Sequence, residues 1–504
     1  MPQERAQAPD QSLVDAAFAG VRWVTFARVG AEVVTFAAAI VLARLVGPSE
    51  FGRAAVPLVL MPLAVILTFE GFGSALVQRE EIGPAHVESA TLTSVAAGLL
   101  LSLLTLAVAQ PIAAPLFGEG MAELLPLAAP AFFIAGLGAV PRALLWRQLD
   151  FRRVSLIEVG SLALGAISSV ALALAGLDAE ALVLGGVVAT AASTLMLVIA
   201  VPPPLPRWRP RELREITRFG VPASLAGLLY VGISNADYAV LAIRASSAQV
   251  GIYWRAFQLG VSYQEKISGI MMRLAFPVYA RTGSLDELRR LHARASRVHA
   301  AVIVPLLALL VITAPDLVPW VFGERWAPAA LPAQILAFAG MIAAILTGYP
   351  QVMLAAGKPR ALMIFNVGVL AAYCVLVWFA APHGLTTVAV AVVGIHVSML
   401  FTVYGVLFRN VLGIPLRRLL ADIAPGAVSS CALAAAAVPT LGLMHGLGAP
   451  TFFELAAVGL VGAAVYLLAL RALFPAAWSD LAMLVRRLRP EGFLVRRPVT
   501  EPAA

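Results

Sequence analysis

The sequence predicts an all-α polytopic membrane protein of about fourteen transmembrane helices. Two six-helix lobes related by a parallel repeat are followed by two further helices. Three observations carry this expectation. Of 504 residues, 61% are hydrophobic and 13% charged, with a mean hydropathy of +0.89; a soluble domain is about 45–50% apolar and about 25% charged. The apolar residues gather in runs of about 20, enough helix to cross a hydrocarbon core of about 30 Å. The cations collect beyond alternate ends of those runs. A soluble fold could not hide so much apolar surface, and a disordered chain would not carry it.

A polar leader, 1–19, has no apolar signal-peptide core. The N-lobe, 20–201, holds spans at 23–45, 53–77, 87–110, 122–145, 154–176 and 180–201. Breakers such as Gly47-Pro48, Gly83-Pro84, Phe117-Gly118-Glu119 and Gly176-Leu177-Asp178 separate them. A linker at 202–218, rich in proline and arginine, leads to the C-lobe, 219–408. Its spans are expected at 219–243, 250–277, 298–322, 329–355, 360–380 and 385–408. Accessory helices at 421–444 and 452–473 fill 409–473, and 474–504 is a basic tail. The loops on one side are short, so any activity resides within the bilayer or at its faces.

Charge sets the orientation. The 36 cations are almost all arginine, with Lys266 and Lys358 the exceptions. Twenty-seven fall on one side, among them Arg142, Arg147, Arg207, Arg209, Arg289, Arg294, Arg418 and the arginines of the tail. The other side has four, Arg44, Arg53, Arg244 and Arg325. The positive-inside rule therefore places both termini in the cytoplasm. A net charge of +8 is thus accounted for by topology, and no nucleic-acid partner is implied.

The halves resemble each other at offsets of about 200 residues. Val41-Leu42-Ala43 precedes Gly52 as Val240-Leu241-Ala242 precedes Gly251. Pro111, Pro115 and Phe117-Gly118-Glu119 match Pro315, Pro319 and Phe322-Gly323-Glu324; Pro141 with Val159-Gly160 matches Pro350 with Val367-Gly368. Six spans per half is an even number, so the halves share one orientation, the arrangement of parallel-repeat transporters. Prolines inside spans (Pro57, Pro62, Pro222, Pro305) suit bent helices.

Several motifs carry a family resemblance. Leu42-Ala43-Arg44-Leu45-Val46-Gly47-Pro48-Ser49-Glu50-Phe51-Gly52, Phe72-Gly73-Ser74-Ala75-Leu76-Val77-Gln78-Arg79 and Arg147-Gln148-Leu149-Asp150-Phe151-Arg152 belong to the first lobe. Gly251-Ile252-Tyr253-Trp254-Arg255-Ala256, Ala275-Phe276-Pro277-Val278-Tyr279 and Phe322-Gly323-Glu324-Arg325-Trp326 belong to the second. Over roughly 20–410 the chain resembles the oligosaccharide/polysaccharide flippase family of the multidrug/oligosaccharidyl-lipid/polysaccharide exporter superfamily. The resemblance implies a multidrug-exporter-like fold in the bacterial inner membrane. It also implies transfer of undecaprenyl-pyrophosphate-linked sugar units between leaflets by alternating access, often coupled to H+ or Na+.

Ionisable residues inside spans are functional candidates by default. Arg255, Lys266 and Arg273 are 11 and 7 residues apart in span 8. On a straight helix they fall within roughly 20° of one face and cover roughly 27 Å. Such a row could neutralise a pyrophosphate headgroup, to which Arg offers paired donors. Snorkelling of Arg255 and Arg273 to the interfaces is the plain alternative, as is pairing of Lys266 with Glu265. Arg28 and Glu32, one turn apart in span 1, are either an ion pair or a headgroup contact beside a titratable coupling group. Asp237 in span 7 has no cation at i±4, so it must take a proton, bind a cation or reach Arg244. The superfamily resemblance adds a sodium site there, with Asn366 of span 11 as a second member.

No Walker A sequence, zinc motif or helical histidine pair occurs, and most of the six histidines are expected in loops. Cys374 and Cys431 lie in apolar runs and suggest neither a metal nor a disulfide framework. No cofactor is expected beyond a coupling ion. The expected partners are the lipid-linked glycan, membrane lipids and polysaccharide polymerase or export machinery. A drug/cation antiporter of the same superfamily is the main rival; a glycan polymerase or ligase would need a large external loop that this chain lacks.

Overall fold

The computed structural model describes residues 30–79, 81–268, 285–355, 358–410 and 412–488. Among these, every regular element is helical, and eleven helices are long and apolar enough to cross a membrane. In chain order the principal helices are α1 (30–45), α2 (Pro48–Val65), α3 (Pro84–Val108), α4 (Leu125–Arg147), α5 (Phe151–Leu174), α6 (Ala179–Ala200), α7 (Pro210–Arg244) and α8 (Ser247–Phe257). Next come α9 (Leu285–Phe322), α10 (Ala330–Leu346), α11 (Pro359–Ala380), α12 (Leu385–Val403), α13 (Leu416–Gly446), α14 (Thr451–Leu473) and α15 (Pro475–Leu488). The segments expected as spans 1, 7 and 8 are helical where described, as α1, α7 and α8, and lie outside the count of eleven.

The helix boundaries have local causes. Proline at the first helical position starts α2, α3 and α7, where its missing N–H loses nothing. Asp150 caps α5 by accepting from the Arg153 amide at 3.1 Å. The repeat-related Gly118 and Gly323 come just after helix ends with φ of 86° and 102°, a conformation that favours glycine. Prolines interrupt hydrogen bonding within α2 and α9, and π-helical turns extend α2 and α8, at Ile66–Gly73 and Gln258–Ser262.

Sidedness reflects lipid rather than water. Leu100, Ile167, Leu195, Ile199, Phe379, Phe401 and Leu460 are exposed, whereas Ser89, Ser94, Thr68 and many alanines are buried. Small and hydroxyl side chains let membrane helices approach closely, and the bulky aliphatic ones meet the acyl chains.

The chain divides into two compact units. The first comprises Met1–Trp254, Val321–Pro328 and Asn366–Val388. In it α3 packs along α4, and α5 along α6. Its α2 crosses the start of α8 at the repeat-related Gly52 and Gly251: a Cβ at Gly52 would overlap the Ser247 carbonyl, and one at Gly251 the Pro48 carbonyl. Around the crossing, Trp326 Nε1 donates to the Ala43 carbonyl at 2.8 Å and Arg44 Nε to the Val321 carbonyl at 3.0 Å. The Phe51 ring lies edge-on to Trp326 and Trp254, with centroids 5.2 and 5.9 Å away. At the start of α7, Glu215 binds Arg79 at 2.6 Å and His86 at 3.4 Å. The Arg79 hydrogen bond, helped by His86, holds this carboxyl below its ordinary value.

The second unit comprises Arg255–Trp320, Ala329–Phe365 and Ala389–Ala504. One apolar cluster joins Leu346, Met353, Val403, Phe408, Ile414 and Leu419. Another joins α9 to α13, α14 and α15 through Ala301, Leu433, Val458, Tyr466 and Ala477, and the Tyr466 hydroxyl donates to the Ala301 carbonyl at 2.6 Å. Charges reinforce that packing: Arg297 meets Asp422 at 2.8 Å and Asp480 at 3.4 Å, and Arg294 meets Asp480 at 2.8 Å.

Five of the six histidines are helical; the sixth, His383, ends the short turn Ala381–His383. His86, His292, His299, His396 and His445 all lie within α3, α9, α12 and α13. The helices α3, α9 and α13 run past the apolar stretches from which the loops were inferred and carry His86, His292 and His445 with them, whereas His299 and His396 fall inside expected spans.

Candidate functional site

Small residues make room inside the first unit. Ala31, Gly138, Ala139 and Ala189, from α1, α4 and α6, border a cavity of about 470 Å³ that α2 and α5 complete. Into it face Glu32 of α1, Arg142 of α4, Glu158 of α5 and Ser193 of α6. Arg142 Nη1 is 3.6 Å from Glu158 Oε1, Nη2 donates to Ser193 Oγ at 3.3 Å, and the guanidinium lies 5.8 Å from the centre of the Phe69 ring. The hydroxyls of Thr68 and Thr190 donate to carbonyls one turn back in their own helices, which leaves their lone pairs as acceptors. With two carboxylates and one guanidinium in its wall, the cavity is suited to a proton or a small cation.

Glu32, expected from sequence as a coupling residue, lines this cavity. Arg142 and Glu158 were not singled out. Arg142 falls at the edge of an apolar run and read as a topology determinant. The legible signal was Glu158, a carboxylate within an apolar span that needs a partner.

Asp237 of α7 is 1% exposed. Its Oδ2 accepts from the Tyr253 hydroxyl at 2.7 Å and its Oδ1 from the Tyr238 amide at 3.0 Å. The Tyr238 and Tyr253 rings meet edge-on at 5.7 Å. No cation partners Asp237 among the described residues: Arg244 lies over the Trp378 ring instead, 4.5 Å from its centre. Tyr373 of α11 is buried as well. Asn366 is half-buried two turns earlier on the same face of α11.

In the second unit, Arg255 is 3% exposed and donates to Gln258 Oε1 at 3.1 Å. Lys266 is half-buried, its Nζ 5.2 Å from the centre of the Tyr263 ring. The π-helical turns at Gln258–Ser262 lie between them. A π turn holds one more residue than an α turn, so it rotates the residues beyond it by about 100°. The common face expected for a straight helix is therefore broken between these two cations. Arg28 and Arg273 lie outside the described residues. A buried polar cluster beside Lys266, in which Ser268 Oγ is 2.7 Å from His299 Nε2 and also bonds Gln264, was not expected from the sequence.

Comparison with known proteins places these features in a lineage. Residues 41–331 match a family described as polysaccharide biosynthesis protein. The chain belongs to this family. It is 25% identical over 362 residues to the lipopolysaccharide biosynthesis protein WzxC of Escherichia coli (strain K12), covering 71% of this chain and 73% of that one. It is 28% identical over 335 residues to the teichuronic acid biosynthesis protein TuaB of Bacillus subtilis (strain 168), covering 65% and 68%. Among solved structures, the lipid II flippase MurJ in its inward closed conformation aligns with a TM-score of 0.67 at 13% identity, over 91% of this chain and 99% of that one. An inward-facing multidrug resistance MATE family transporter of the MOP superfamily aligns at 0.53 and 16% identity, over 80% and 95%. At those identities the two structures establish the fold, which is the exporter-like fold expected from the motifs.

Proposed function

We propose that this protein translocates undecaprenyl-pyrophosphate-linked oligosaccharide units from the cytoplasmic to the periplasmic leaflet of the bacterial inner membrane. The observation that carries the reading is that the family match, 41–331, includes the cations Arg255 and Lys266 together with Arg142 and Glu158 of the cavity. The names of the relatives, which refer to lipopolysaccharide and teichuronic acid biosynthesis, support the same substrate class. In the proposed cycle the polyprenyl tail stays in lipid. The pyrophosphate is drawn out of water by the cations of the lobes, Lys266 first, with Arg273, Arg28 and the more buried Arg255 as further candidates, since a phosphate leaves water only against counter-charge. Alternating access then exposes the sugar to the far side. Occupancy of Asp237 with Asn366, or of Glu32, by H+ or Na+ biases direction. No covalent step is involved and no catalytic residue is assigned. Both termini face the cytoplasm, where polymerase or export machinery is the expected partner.

The test is the leaflet distribution of the lipid-linked glycan in cells depleted of the protein. Accumulation on the cytoplasmic leaflet is expected, reversed by wild type and at least tenfold less by Lys266→Ala at equal membrane levels. A cavity with carboxylates in excess of cations favours a second reading, an ion-coupled drug/cation antiporter. Normal glycan translocation in depleted cells, with no other flippase compensating, would select it.

A further inference from the structure

Three side chains outside the sites described above converge at one end of α9, α13 and α14. Asp316 lies in the last turns of α9, His445 in the last turn of α13 and Glu454 in the first turn of α14. His445 Nε2 stands 3.5 Å from Asp316 Oδ1 and 3.4 Å from Glu454 Oε2, and all three ligand atoms lie within 4.8 Å of one another. Glu454 is 6% exposed, and among the described residues its carboxylate meets no partner but His445. Beside the cluster, Trp320 of α9 packs on Phe452 of α14 with ring centroids 6.1 Å apart, while the His445 side chain, 47% exposed, leaves one side open.

We propose that Asp316, His445 and Glu454 bind one divalent transition-metal ion of the zinc class. Zinc takes imidazole nitrogen and carboxylate oxygen at about 2.0–2.2 Å, which sets neighbouring ligands of a tetrahedron roughly 3.3–3.6 Å apart. His445 stands at that spacing from both carboxylates before any ion is present. The charges agree. A neutral imidazole with two carboxylates carries −2, which a divalent ion cancels, whereas a proton on His445 would leave one negative charge over, with Glu454 buried. Imidazole in the ligand set favours zinc, nickel or copper over calcium and magnesium, which prefer oxygen alone. The open side provides the position for water that a three-ligand zinc site keeps. Arg294 and Arg297 already tie α9 to α13 and α15 through Asp422 and Asp480. The ion would fasten the accessory helices to α9 a second time, at the other end.

The test uses full-length protein in lipid nanodiscs, prepared without a histidine tag and stripped with chelator, then titrated with ZnCl2 by calorimetry. One equivalent is expected to bind and to raise the melting midpoint. Asp316→Asn and His445→Gln should each weaken binding at least tenfold and abolish the midpoint shift, and calcium should not substitute. The inference is overturned by absent stoichiometric binding or by binding unchanged in both variants. It is equally overturned if zinc fails to bind while His445→Gln removes a pH dependence of melting, which would make the cluster a proton-operated contact. His445→Gln keeps the size of the side chain, so a decision does not depend on a variant that fails to insert.

Discussion

Arg142 and Glu158 face each other across a cavity at 3.6 Å, with Ser193 as a further acceptor for the guanidinium. Removing one member leaves the other's charge without its counterpart in a part-buried setting, at a cost of about 1–3 kcal/mol. Glu158→Met and Arg142→Met should each lower the melting midpoint in detergent, and the double variant Arg142→Met/Glu158→Met should recover most of the loss. An additive double variant would show that the pair is not coupled. What was legible at this scale depended on contrast with the surroundings. Asp237 and Glu32 stand out in sequence as carboxylates inside predominantly apolar spans. Arg142 does not, because an arginine at the margin of an apolar run is what topology alone produces. Only the packing of α4 against α5 and α6 reveals that it points inward. The same holds for Asp237, whose candidate partner Arg244 is close in sequence but lies on Trp378. The tyrosine that does bind it comes from the next helix.

At the scale of elements, apolar runs and breakers located the helices, but not the irregularities within them. The π-helical turns at Gln258–Ser262 have no proline before them in α8, and helical phase carried through them misplaces Lys266 relative to Arg255. The crossing of α2 and α8 is a different case. Gly52 and Gly251 were visible as repeat-related positions, yet their reason is a backbone-to-backbone approach that hydropathy does not encode. Gly52→Ala and Gly251→Ala should each destabilise the crossing by about 1–3 kcal/mol, the usual cost of overfilling a packed site. The two effects should be less than additive, since one separation relieves both contacts. Unfolding monitored by tryptophan fluorescence reports on this directly, because Trp254 and Trp326 both pack on Phe51 beside the crossing. Melting of both variants at the wild-type midpoint would mean that the helices do not touch there.

For the molecule as a whole, the distribution of arginine is the strongest signal, with twenty-seven cations assigned to one side and four to the other. A single cysteine at Gly47 in an otherwise cysteine-free protein should react with a membrane-impermeant maleimide in intact spheroplasts. One at Arg207 should react only after permeabilisation. The opposite pattern would invert every sidedness assignment. The fold was legible because a bilayer imposes few solutions on a chain of this hydropathy, and because the same breakers recur in both halves of the sequence. The cavity and the cluster at Asp316 were not, since each draws residues from three or more helices whose neighbours are decided only on packing. The glycine crossing also bears on how this protein can change over generations. A side-chain clash can be compensated by a smaller residue opposite, but here the opposing atoms are main-chain carbonyls, which every amino acid carries. Glycine is the smallest residue, so every missense change to either codon adds bulk, and no substitution at the facing carbonyl can remove it. Both positions should therefore lack single-site suppressors, and surviving lineages should keep glycine at each.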